Sequence, residues 1–163
     1  MISRLAQIAA LASVAACWNA DDGVAQTRAV SPKDVAAIRA CAQKFADNVT
    51  EGERRCVFAL VADPCSKSKA GQSGHGSTEC FRVEQDIWDE LLNDNFRKLR
   101  EQLDDDQKEK LRDMQRAWIA YRNSTCEFYY HKIQGSMATP MTAACLARET
   151  ARRALLLKFF QGL

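Results

Sequence analysis

Seven cysteines are the residues of this sequence with the clearest chemistry, because their number and order suit disulfide formation. Cys17 lies in an apolar N-terminal stretch, and the other six follow it: Cys41, Cys56, Cys65, Cys80, Cys126 and Cys145. An even set of cysteines predicts a disulfide framework formed in an oxidising compartment. A cysteine metal site is the alternative, but the sequence has no C-x-x-C pair and only two histidines. We therefore expect disulfides and no metal.

The other reactive side chains favour structural roles. His75 lies between two glycines in a Ser/Gly-rich segment, and His131 follows two tyrosines near an expected helix end. Asp104 to Asp106 suit the positive start of a helix, and their spacing fits no EF-hand loop. No nucleophile-elbow motif occurs. The sequence therefore predicts no catalytic residue and no cofactor.

Residues 1–25 have the proportions of a signal peptide. Arg4 precedes an apolar run of 14 residues, Leu5 to Trp18, which is too short to cross a hydrocarbon core of about 30 Å. Gly23-Val24-Ala25 suits cleavage to a soluble exported protein, which we favour. Val14-Ala15-Ala16-Cys17 resembles a lipobox, which would lipidate Cys17. The expected location is periplasmic or secreted, with a membrane-anchored lipoprotein as the alternative.

Length and charge exclude some functions. Without residues 1–25, the 23 basic and 21 acidic residues fall to 22 and 19, a net charge of +3. This mild charge does not predict a nucleic-acid partner. No later segment is apolar for long enough to span a bilayer, so we expect membrane attachment only through a lipidated Cys17. The length of the chain favours a single compact unit.

Hydrophobic periodicity predicts an all-α bundle of about five helices, mostly antiparallel hairpins. Residues 64–77 are rich in Ser and Gly and predict the one long loop. The expected helices are a first opening at Ser31-Pro32, a second from Thr50 to Asp63-Pro64, a third from about Thr78 to Leu103, a fourth from Asp104 to about Lys132, and a fifth from Thr139-Pro140 to the C-terminus.

Aromatic residues of the fourth helix are expected in the core. Trp118, Tyr121 and Phe128 continue the apolar pattern that Leu111 and Met114 begin. We interpret these residues as packing positions and not as a cofactor site.

Helix register suggests how the cysteines pair. In a hairpin turning near Ser136, Cys126 and Cys145 lie at the same height, where their Cα atoms can approach the ~5.5 Å that a disulfide needs. A turn near Thr50 likewise brings Cys41 close to Cys56, and Cys65 and Cys80 bracket the loop. Six cysteines allow 15 connectivities in principle. We expect the pairs Cys41–Cys56, Cys65–Cys80 and Cys126–Cys145.

The second half of the chain resembles a known family. Gln115 to Asn123 form the run Q-R-A-W-I-A-Y-R-N, which follows Cys80-Phe81, Glu84, Trp88-Asp89, Leu92-Asn93 and Leu99, and precedes Cys126, Cys145, Thr150, Arg153 and Leu157. Over about Pro64 to Leu157 this order is similar to the bacterial exported domain family typified by the lysozyme inhibitor LprI. The resemblance implies an exported helical domain and, for some members, lysozyme inhibition. Residues 26–63 resemble an N-terminal extension of some relatives.

Polar residues shared with that family predict a cluster. Glu84 lies on the apolar stripe of the third helix and Arg122 on that of the fourth. Register about the two turns places Arg122 near Glu84 and level with Thr150, with Arg153 one turn further. We expect Glu84, Arg122, Thr150 and Arg153 to form a partly buried polar cluster, since buried charges need partners. Its expected role is to fix helix register, and a binding site is the alternative.

Two function classes follow. The first is a cell-envelope binding protein, whose partner is an exported protein such as a lysozyme-like enzyme. It would comprise residues 26–163, that is, the extension (26–63) and the LprI-like domain (64–163). The net charge argues mildly against a basic lysozyme, whereas Glu101, Asp104 to Asp106 and Glu109 offer an acidic patch. The alternative is an envelope enzyme or small-ligand binder that uses Glu84 and Arg122. The sequence leaves the oligomeric state open.

Overall fold

The computed structural model describes residues 29–163, so the expected export segment and Cys17 lie outside the described residues. Residues 29–163 form six α-helices and one short 3-10 helix, with no strand, which confirms the expected all-α class. The elements are α1 (Pro32–Lys44), α2 (Val49–Cys56), α3 (Ala62–Ser66), α4 (Gly74–Glu101), α5 (Asp105–Ile133), the 3-10 helix (Gly135–Met137) and α6 (Ala138–Phe160).

Side-chain caps define where two helices begin. The Ser31 hydroxyl accepts a hydrogen bond from the backbone N–H of Asp34 at 3.1 Å, with Pro32 as the first helical residue of α1. Asp104 and Gln107 form a capping box at the start of α5, with reciprocal bonds of 2.8 and 3.0 Å. Both helix starts match the sequence-based expectation.

The expected second helix is divided into α2 and α3. Its N-cap is Asn48, which accepts a bond from Glu51 N at 3.0 Å, and not Thr50. The helix ends at Cys56 because the next residues are not helical and Phe58 has a φ of +68°. The short helix α3 then contains Asp63 and Pro64, where we expected helix to end. This split raises the helix count to six.

The loop after α3 is shorter than expected. Helix α4 begins at Gly74, where the sequence predicted a start near Thr78, and Ser73 caps it by accepting a bond from Gly76 N at 2.9 Å. A Cβ atom at Gly76 would lie 1.9 Å from the carbonyl oxygen of Ala70, so only glycine allows this close turn. Helix α6 begins at Ala138 directly after the 3-10 helix, without the expected Thr139 cap.

Helix α6 lies at the centre of the bundle, and its most extensive contacts are with α4. The two helices run in the same direction, since Gly74 lies beside Ser136 at one end and Asn95 donates a bond to the carbonyl of Ala154 near the other. Helix α5 packs mainly on α6, and α2 also contacts α6. Alanines fill much of the buried face of α6 and allow close approach: Ala143, Ala144, Ala147, Ala151 and Ala154.

Three disulfides join the same cysteine pairs that helix register suggested. Cys41–Cys56 joins α1 to α2, and Cys65–Cys80 joins α3 to α4. Cys126–Cys145 joins α5 to α6 with a Cα–Cα distance of 5.5 Å. Each disulfide therefore fixes two helices that are neighbours along the chain, apart from the short 3-10 helix between α5 and α6.

Among the helices of residues 29–163, none combines the length and the apolar composition needed to cross a membrane.

Replacing Cys126 and Cys145 together by alanine tests how far α5 depends on its disulfide. The bridge closes a loop of 19 residues, so its loss should lower the free energy of unfolding by about 3 kcal/mol in the chain-entropy view. Because α5 packs mainly on α6, amide hydrogen exchange should quicken in the C-terminal half of α5 while the centre of α4 stays protected. The Cys41→Ala, Cys56→Ala protein is the control, with faster exchange confined to α1 and α2. Equal acceleration in α4 and α5 would contradict this local role.

Candidate functional site

Glu84 is a fully buried carboxylate on α4, and all its hydrogen bonds come from N–H groups. Its Oε1 accepts bonds from Phe58 N at 2.7 Å and Trp88 Nε1 at 3.0 Å. Its Oε2 accepts a bond from Ala62 N at 2.8 Å. Phe58 and Ala62 flank the irregular segment between α2 and α3, so Glu84 fastens this segment to α4.

The pKa of Glu84 lies above the ordinary value for a glutamate. Burial raises the pKa because it penalises the charged form, whereas the three hydrogen bonds lower it without cancelling that effect. Asp63 raises the pKa further through its negative charge. No arginine contributes to this balance. Glu84 therefore stabilises local backbone and is not the counter-ion of an arginine.

This arrangement corrects the predicted four-residue cluster. Arg122 and Arg153 make no ion pair with Glu84, because both guanidinium groups lie between α5 and α6 against the Trp118 ring. The structure does bring Arg122 and Thr150 together, since Arg122 Nη1 donates to Thr150 Oγ1 at 3.4 Å. The predicted set is thus divided into a Glu84 site and an arginine site on the α5–α6 seam.

The arginine site is organised around Trp118 of α5. The guanidinium carbon of Arg122 lies 4.9 Å from the centre of the Trp118 ring, and that of Arg153 lies 5.6 Å from it. Arg122 also donates two bonds to Asn123 Oδ1. Arg153 donates from Nε to Gln115 Oε1 at 2.8 Å. All of these acceptors are neutral, so neither arginine has a carboxylate partner in residues 29–163.

Arg153 is the more deeply buried of the two, with 6% of its surface exposed. Its Nη2 is buried and has no hydrogen-bond acceptor in the described part of the chain. Burial lowers the pKa of this guanidinium. An unpaired buried charge costs several kcal/mol, of which a cation–π contact recovers about 2 kcal/mol. The arginine site therefore carries positive charge that no carboxylate of the described residues neutralises.

The outer face of α5 carries exposed apolar side chains. Tyr121 is 54% exposed and Phe128 is 64% exposed, so the prediction that they are core residues was wrong. They share one side of the helix with Ala117 and Ser124, which are also exposed, and we call these four residues the outer face of α5. Trp118 and Arg122 point instead towards α6. The offset of Tyr121 and Phe128 from the Trp118–Arg122 row was the sequence signal that could have identified this face.

The remaining candidates lie apart from both sites. His75 is exposed in the first turn of α4, and His131 is exposed on α5 with its Nε2 3.8 Å from Glu127. Asp104, Asp105 and Asp106 are exposed at the start of α5. The described residues hold no group of three His, Cys, Asp or Glu side chains placed to bind a metal ion.

The family model described as "Lysozyme inhibitor LprI" matches residues 65–157. The chain belongs to the LprI family. The match covers α4, α5 and most of α6, and therefore includes Glu84, the arginine site and the outer face of α5. No curated protein and no solved structure gives a significant match.

Glu84→Gln tests the buried carboxylate. A glutamine amide has one acceptor oxygen, so at least one of the three N–H groups loses its partner, and we expect a loss of about 1–3 kcal/mol at neutral pH. Urea unfolding of both proteins from pH 4 to pH 8 would measure it.

The pH dependence of this loss has a defined sign. Because the folded-state pKa of Glu84 is raised, its stabilising contribution is fully present below the unfolded pKa and decreases as pH rises through the folded pKa. The loss caused by Glu84→Gln should therefore be larger at pH 4 than at pH 8. Glu90→Gln removes a surface ion pair with Arg39 and should cost at most about 1 kcal/mol. A loss independent of pH would show that the pKa of Glu84 is not raised.

Proposed function

We propose that this protein is an exported cell-envelope binding protein that inhibits a lysozyme-like enzyme by direct protein–protein contact. Membership of a family described as a lysozyme inhibitor supports the activity. Three disulfides support an oxidising compartment outside the cytoplasm. In this proposal the protein acts by binding and performs no catalysis of its own.

The observation that carries the docking proposal is the concentration of exposed apolar side chains on α5 and the turn after it. Ten large hydrophobic side chains are exposed in residues 29–163, and seven of them lie between positions 119 and 141. Of these seven, Tyr121 and Phe128 share the outer face of α5, and exposed tyrosines are frequent anchors in interfaces. We therefore assign the docking surface to the outer face of α5, with Tyr121 and Phe128 as its anchors.

The proposed unit comprises both the extension, residues 26–63, and the LprI-like domain, residues 64–163. Ile38 and Val61 from the extension share one hydrophobic core with Trp88 and Leu155 from the domain, which supports a single unit. The extension contacts α4 and α6 and leaves the outer face of α5 free in this arrangement. We assign it a stabilising role.

An acidic surface offers a second way to bind a basic enzyme. Asp104, Asp105 and Asp106 are exposed beside Glu101 and Glu109 at the turn between α4 and α5. Lys108 pairs with Asp105 at 3.1 Å and reduces the negative charge there. We therefore rank this acidic patch below the outer face of α5 as the docking surface.

Lysis of a peptidoglycan suspension by lysozyme, followed by turbidity, tests the proposal. The wild-type protein should slow lysis at micromolar concentration. Tyr121→Ala combined with Phe128→Ala should weaken inhibition at least tenfold, which corresponds to about 1.4 kcal/mol of binding free energy. Because both side chains are exposed, the melting temperature should change little.

Two controls separate the possible outcomes. Leu60→Ala removes an exposed apolar side chain outside α5 and should leave inhibition unchanged. Asp105→Asn with Asp106→Asn tests the acidic patch and should have a smaller effect than the α5 variant. Loss of inhibition in the aspartate variant alone would move the docking surface to the acidic patch. No effect of wild-type protein on the lysis rate would contradict lysozyme inhibition.

A further inference from the structure

We propose that Arg122 and Arg153 form a binding site for the carboxylate group of a small organic acid, on the seam between α5 and α6. The proposal does not depend on lysozyme inhibition, because it rests on two guanidinium groups at this seam that have no carboxylate partner.

The other two half-buried arginines of residues 29–163, Arg39 and Arg148, have carboxylate partners. Arg39 bonds to Glu90 at 2.7 Å and to Asp94 at 3.0 Å. Arg148 lies 3.7 Å from Glu149. Arg122 and Arg153 have only neutral acceptors, although Arg153 is the most deeply buried arginine. Among the buried and half-buried arginines of residues 29–163, these two are therefore the ones without a carboxylate partner.

The nearby buried carboxylates are already engaged. Glu84 accepts its bonds from backbone and indole N–H groups. Glu149, one residue before Thr150, pairs with Arg148 and Arg152 on the same helix. These are the two glutamates buried in residues 29–163, and no aspartate there is buried. A counter-ion for Arg122 and Arg153 must therefore come from outside this part of the chain.

Three features favour a carboxylate. Guanidinium groups offer planar pairs of N–H donors that match the two oxygens of a carboxylate. Both guanidinium groups contact the Trp118 ring and Arg153 Nη2 has no acceptor, so the seam carries positive charge that a bound anion would balance. Arg122 is half-buried and Arg153 is covered, so an acid arriving from solvent would meet Arg122 first. The ligand class is therefore a small acid that presents its carboxylate to Arg122 first.

Binding there would also stabilise α5. Arg122 lies on α5 and Arg153 on α6, so an anion that contacts both guanidinium groups adds a link across the seam. The Cys126–Cys145 disulfide fixes one point of the same seam. Occupancy of the site should raise the melting temperature of the protein.

Thermal unfolding in sodium acetate and in sodium chloride at matched ionic strength tests the site. The melting temperature should rise by about 2–4 °C more in 100 mM acetate than in chloride, as expected when the ligand concentration is roughly tenfold above Kd. Arg122→Gln should abolish the difference between the two salts. Arg153→Met should abolish it as well, so that the conclusion does not depend on one variant that misfolds. Arg97→Gln, which removes an exposed arginine on α4, should retain the full difference.

Side-chain NMR provides a direct readout. The Nε–Hε resonances of Arg122 and Arg153 should shift progressively with acetate, whereas that of Arg97 should stay unchanged. Equal melting temperatures in acetate and chloride would overturn the proposal, as would an acetate effect that persists in both arginine variants. Stabilisation by phosphate with none by acetate would overturn the assignment to a carboxylate.

Discussion

Close packing of α4 against α6 governs where the other elements can lie. Alanines at Ala143, Ala147, Ala151 and Ala154 bring the backbones together, and Asn95 donates a hydrogen bond across the interface to the carbonyl of Ala154. Because the two helices run in the same direction, the chain must travel back along α5 to reach the start of α6. Helix α5 packs on α6 and has only slight contact with α4. Helix α5 is therefore supported mainly by one neighbour. Its outer face stays free, whereas α4 and α6 have little apolar surface to offer a partner.

Much of this fold could be predicted from local signals. Ser31 and Asp104 mark helix starts because their side chains accept hydrogen bonds from the first turn, and this chemistry is local. The pairing of Cys126 with Cys145 follows from equal distances along two antiparallel helices joined by a short turn. Such inferences succeed because they require only helical geometry and neighbours along the chain.

The surroundings of Glu84 and Tyr121 could not be predicted in the same way. Register arithmetic assumed that α4 and α5 face each other as a hairpin, and therefore gave Glu84 an arginine partner. Its actual partners at Phe58 and Ala62 are backbone groups of a segment that interrupts a predicted helix, and the sequence does not mark them. Tyr121 was placed in the core because it continues the apolar pattern of Leu111, Met114 and Trp118. Its exposure follows from the single neighbour of α5, which is a property of the whole fold.

In the proposed function, the two faces of α5 have separate roles in stability and in recognition. On the inner face, Trp118, Arg122 and Gln115 make polar and cation–π contacts that depend on exact helix placement. On the outer face, the exposed Tyr121 and Phe128 side chains contribute little to packing. Their identity can therefore be set by partner binding alone. A change in how α5 lies on α6 would shift both anchors together, because they are carried by one rigid helix. Occupancy of the proposed arginine site would then influence the geometry of the proposed docking surface without any contact between Arg153 and the bound protein.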